Sequence, residues 1–150
     1  MIALPNDQPE RHFLTVEEIR TQAADYPTVR MVTGEQFHVD QNGLLMFGNP
    51  YRIREKPSPE LVAICLRWLE RAEKIKTPGL NSYGLKHAVE RWAGEYVSNG
   101  AFILAAHELG FRMIPDDRTW RATLNVDVGI SRRWYHKQPE SLYYSDGVGA

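Results

Sequence analysis

Lys86, His87, Glu90 and His107 are the side chains whose types and spacing best suit chemistry. His87 and Glu90 stand one helical turn apart and share a face if residues 82–93 are helical, and His107 belongs to the helical stretch that follows. Two imidazoles and a carboxylate suit zinc, and an imidazole beside a carboxylate suits general acid–base work. The spacing, however, matches no helical zinc signature and no further ligand accompanies it. A His–Glu pair is more often a surface or interhelix hydrogen bond, so a metal or acid–base enzyme built on His87, Glu90 and His107 ranks third among the readings. Cys65 lies among Ile64, Leu66, Trp68 and Leu69, where burial keeps a thiol protonated and inert. No glycine-rich phosphate loop follows a strand, and Ser82, Ser98 and Ser131 have no nucleophile elbow around them. No cofactor and no metal are expected.

Two further groups suit binding. Tyr83, Lys86, His87, Glu90, Tyr96 and Asn99 flank the joint between two helices, where they either brace the turn or face a partner. Arg132, Arg133, Trp134, Tyr135, His136 and Lys137 interleave basic and aromatic side chains, followed by Tyr143 and Tyr144. Such a run stacks on bases, neutralises phosphates or anchors a protein interface. Alternatively, Trp134 and Tyr135 fold back onto the sheet and the charges are solvated.

The elements that must position these groups follow from periodicity and punctuation. Thr15 and Glu18 make a capping box for a short helix through Val16, Ile19 and Ala23 that stops before Pro27. A strand follows at Val29 to Thr33, and a hairpin over 36–48 turns at Asn42-Gly43, a pair suited to positive φ angles. Ser58 and Pro59 open the longest helix, which runs to about Lys74 with apolar residues on more than one stripe. Ser82 caps the next helix, which breaks at Gly94; Ser98 or Asn99 caps another, closed by Gly110. Residues 120–130 alternate, with Trp120, Ala122, Leu124, Val126, Val128 and Ile130 on one side and Arg121, Thr123, Asn125 and Asp127 on the other, which predicts a half-buried strand. The expected fold is α+β: a small antiparallel sheet made of hairpin 36–48 and strand 120–130, covered by about four helices in a single domain over 13–138. Residues 1–12 are expected to form a flexible arm and 139–150 a polar tail.

The helix pair also invites a helix-turn-helix reading, but the second helix would present Ser98, Asn99, Ala101, Ala105, His107 and Glu108, without an Arg or Lys to address base edges. A chain of 150 residues with a formal charge of −1 lacks the broad positive field of a bulk nucleic-acid binder. Nucleic acid would have to be held by a local patch, for which Lys86, Arg91, Arg132, Arg133 and Lys137 are the candidates. A single cysteine fits a reducing cytoplasm, and no apolar run reaches the length of a membrane span, so a cytoplasmic protein without a membrane partner is expected.

The strings Ser82 to His87 (SYGLKH), Glu90, Tyr96 to Ile103 (YVSNGAFI) and Gly110-Phe111 resemble a segment shared by small uncharacterised proteins of phages, plasmids and other mobile elements. The likeness covers about a fifth of the chain. It implies an accessory gene product that binds a host or defence protein, including CRISPR effectors and restriction enzymes. A non-catalytic binding protein is thus the first expectation, with a DNA- or RNA-binding accessory factor as the second.

Overall fold

A computed structural model describes residues 13–46, 48, 53–116 and 124–141. The arm expected over 1–12, the strand positions Trp120 to Thr123, and Tyr143 and Tyr144 lie outside the described residues. The described chain is a single α+β domain with elements α1 (Val16–Gln22), β1 (Thr28–Arg30), β2 (Gln36–Asp40), β3 (Gly43–Leu45), α2 (Pro59–Leu69), β4 (Leu80–Asn81), α3 (Ser82–Ala93), α4 (Asn99–Glu108), β5 (Met113–Pro115), β6 (Val126–Val128) and α5 (Arg132–His136), closed by a 3-10 helix at Pro139–Ser141. The strands form two antiparallel three-stranded sheets, in the orders β1-β2-β3 and β4-β6-β5. Hairpin 36–48 and the strand near 126 therefore belong to different sheets, joined where the Leu44 amide donates to the Leu124 carbonyl at 3.0 Å.

The local signals explain most of the helices. Thr15 and Glu18 exchange both bonds of the capping box at the start of α1. Gly94, in the left-handed conformation, ends α3, and the Ser98 hydroxyl accepts from the Ala101 amide to start α4. The cap of α3 is Asn81, whose side chain accepts from the Tyr83 amide; Ser82, expected in that role, instead accepts from the Val126 amide at 3.1 Å and ties α3 to β6. The hairpin turn also differs from expectation. Asn42 takes no positive φ; the buried Asp40 carboxylate accepts from the Asn42 and Gly43 amides at 2.8 and 3.2 Å and so builds the turn with a side chain. Helix α2 stops at Leu69, short of Lys74, which instead forms a β-bridge with Ile130.

The core lies between α2, α4 and the β1-β2-β3 sheet, around Trp68, Phe102, Leu85, Val89, Val39 and Leu44. Helix α4 is buried almost all round, since Gly100, Ala101, Ala105 and Ala106 let its neighbours approach closely. At Gly100 the approach is extreme: an added Cβ would lie 1.8 Å from the Asp40 carbonyl oxygen. In the 120–130 stretch, Val126, Val128 and Ile130 are buried, but Leu124, expected in the core, is 44% exposed. β6 begins only at Val126, so the alternation outruns the ladder that would give it a dry side. No described helix is long and apolar enough to cross a membrane.

Candidate functional site

Lys86 is the centre of the joint between α3 and α4. Leu85, Ala88 and Val89 turn the apolar face of α3 into the core, which places Lys86 on the margin of that face with its stem buried. Its ammonium donates to Glu90 Oε2 at 3.0 Å and to the Val97 carbonyl at 3.2 Å, bridging α3 to the turn that follows it. The Tyr96 and Tyr83 rings lie 4.8 and 5.5 Å from the same nitrogen, within cation–π range. One buried cation thus contacts two tyrosines, and both keep a large exposed surface, 52% for Tyr83 and 61% for Tyr96.

Glu90 links this cation to the histidine. Its Oε2 also accepts from the Val97 amide at 3.2 Å, and its Oε1 lies 2.7 Å from His87 Nδ1. Partial burial alone would raise the Glu90 carboxyl, but the Lys86 ammonium, the His87 ring and the Val97 amide outweigh it and hold the group below its ordinary value. A carboxylate only accepts, so Nδ1 carries the hydrogen in this contact. The Tyr83 ring packs against His87 at a centroid distance of 4.6 Å, nearly perpendicular. The arrangement can orient an imidazole and present two aromatic rings.

His107 is not part of it. It lies in the last turn of α4, where burial first and the Arg30 charge second hold its imidazole below the ordinary value. Among the described residues no group of three or more His, Cys, Asp or Glu side chains could hold a metal ion, so the set of His87, Glu90 and His107 does not converge. Cys65 is fully buried and its thiol is pushed up to about 12, chiefly by burial and then by the Glu90 charge.

The remaining candidates divide. Asn99 is buried and the two hydrogens of its Nδ2 are shared among the Asn42 carbonyl, the Leu124 carbonyl and Asn125 Oδ1 at 2.8, 3.2 and 2.9 Å, pinning the hairpin turn and the approach to β6 onto the start of α4. Tyr135, a candidate partner contact, is a core residue at 4% exposure, because α5 folds back and sets its ring 6.4 Å from that of Trp68. Trp134 is half-buried, edge-on to Trp68 at 5.5 Å. Arg132, Arg133 and Lys137 are exposed, with Arg132 Nη2 donating to the Gly79 carbonyl at 2.8 Å. Lys86 is turned inward, which removes it from any set of phosphate contacts. Helix α4 has no free face with which to enter a groove, since Asn99, Ala101 and Ala105, expected on its outer side, are buried.

A second network was invisible in the sequence because its members are far apart in the chain. The Trp68 indole donates to Glu140 Oε2 at 2.6 Å, Arg71 Nη1 reaches the same oxygen at 3.1 Å, and Arg91 Nε donates to the Glu140 carbonyl at 2.6 Å. The Arg71 guanidinium lies over both the Trp92 ring at 5.2 Å and the Trp134 ring at 5.8 Å. Residues 139–141, expected in a polar tail, are therefore stitched to the core. Comparison of the chain with protein-family models, with curated proteins and with solved structures finds no match.

Proposed function

We propose that the protein is a non-catalytic accessory factor of a mobile element that acts by occupying a surface on a host macromolecule, a defence protein such as a CRISPR effector or restriction enzyme being the partner its sequence resemblance implies. The observation that carries a binding role is the pair Tyr83 and Tyr96, both exposed and both within cation–π range of one buried ammonium. Tyrosine gives large contact area for little conformational entropy. Exposed Tyr is also among the types enriched at the centres of protein interfaces. The buried charges beneath the rings are satisfied by one another, which suits a scaffold for a contact surface.

The test is co-purification from the native host with and without nuclease, comparing the natural chain with a Tyr83→Ala/Tyr96→Ala variant. A saturable protein partner that survives nuclease and is lost in the double variant, at unchanged thermal stability, supports the reading. Equal capture by both proteins would exclude this face as the contact.

A further inference from the structure

We infer that the protein carries a second, independent binding surface, a cationic patch of Lys74, Lys76, Arg112 and Arg132 that takes the phosphodiester backbone of a nucleic acid. The four residues come from three segments that only the fold brings together. Residues 73–79, 129–132 and 112 are laced by main-chain bonds: Ser131 to the Glu73 carbonyl at 2.9 Å, Ile75 to the Gly129 carbonyl at 2.9 Å, Gly129 to the Arg112 carbonyl at 2.8 Å, and Gly79 to the Val128 carbonyl at 3.1 Å. The two arginines are anchored to the same loop. Arg112 Nε donates to the Lys76 carbonyl at 3.0 Å and Arg132 Nη2 to the Gly79 carbonyl at 2.8 Å. Each guanidinium spends one donor on that carbonyl, so its remaining N–H groups are held in a fixed fork, the geometry that phosphate oxygens accept.

All four side chains are exposed, and among the described residues none pairs with a carboxylate. Lys74 additionally lies over the Phe111 ring at 5.2 Å, which restricts its stem without neutralising it. Glu70 and Glu73 border the patch and weaken its field, so the surface suits a few phosphate contacts of moderate strength. It has no base-reading element beside it, and the expected binding is independent of sequence. The patch is built without Tyr83 and Tyr96, so it stands or falls apart from the function proposed above.

Fluorescence anisotropy of the full chain with a short labelled duplex, and with one of its single strands, tests this. Affinity for the preferred form should fall about a hundredfold between about 50 and 200 mM salt, a log–log slope of about −3 to −4 for four contacts on a duplex and about −3 on a single strand. Lys76→Ala and Lys74→Ala, whose side chains make no hydrogen bond among the described residues, should each make the slope shallower by about one at unchanged melting temperature. Arg112→Ala should also make the slope shallower, with some loss of melting temperature because its bond to the Lys76 carbonyl goes, while Tyr83→Ala/Tyr96→Ala should leave binding as it is. No binding to either nucleic acid at the lowest salt overturns the inference, as does a slope indifferent to both lysine substitutions. Tighter binding to poly-glutamate than to either nucleic acid also overturns it, in favour of an acidic protein partner.

Discussion

Glu90 holds together a cation, an imidazole and a backbone amide, and its energetics follow from that position. Because its folded carboxyl is held below the ordinary 4.5, the folded state binds fewer protons than the unfolded one as pH falls through that range. The stability it contributes is fully present above the ordinary value and is lost as pH drops through the lowered one. Glu90→Gln should cost about 2 to 4 kcal/mol at neutral pH, since it leaves the Lys86 ammonium buried without a counter-charge. The variant should also lose part of the acid-side decline, so that the difference between the two proteins in urea titrations narrows below pH 4.5. A difference that stays constant on acidification would contradict this account. The His87–Glu90 pair was legible from the sequence because a helix fixes the spacing of three residues; the failure of His107 to join it was not, because that depends on how α4 is rotated against its neighbours.

At the scale of elements, the start of α4 and the β2–β3 turn act as one unit. Gly100 lies where the Asp40 carbonyl leaves no room for a side chain, and its own amide donates to the Gln41 carbonyl at 2.9 Å. Replacing a helical glycine by alanine ordinarily stabilises by about 1 kcal/mol. Here Gly100→Ala should instead destabilise by about 2 kcal/mol or more, because the helix must withdraw from the turn and from the bonds that Asn99 makes beside it. Thermal denaturation decides the sign, and a stabilised variant would show that the turn can yield. The Thr15–Glu18 capping box, Pro59, Gly94 and Ser98 announced the helices because a cap is a local event. The sheets were harder to read. β4 and β5 are two and three residues long, too short for a period to emerge, and Leu124 kept the alternation of a strand while lying outside the ladder.

Over the whole molecule, the C-terminal turn is fastened to the centre of the core. Trp68, fully buried between Phe102, Trp134 and Tyr135, spends its only polar atom on Glu140. Glu140→Ala should cost about 1 to 3 kcal/mol, since the indole N–H then loses its partner in the interior, and chemical denaturation would measure it. The same substitution should shift the emission of the folded protein, because Trp68 sits at the bond that is lost; unchanged stability would place the 3-10 helix outside the cooperative unit. From the sequence alone the α+β class, most helix starts, the inert Cys65 and the polar cluster at the α3–α4 joint were legible, all of which depend on residues a few positions apart. The folded chain was needed to show that the strands form two sheets, that α4 is enclosed, that Tyr135 is core and Tyr83 and Tyr96 are surface, and that Arg112 and Arg132 both reach carbonyls of the 76–79 loop. Those outcomes turn on contacts between distant segments, where packing and long-range hydrogen bonds outweigh local preference.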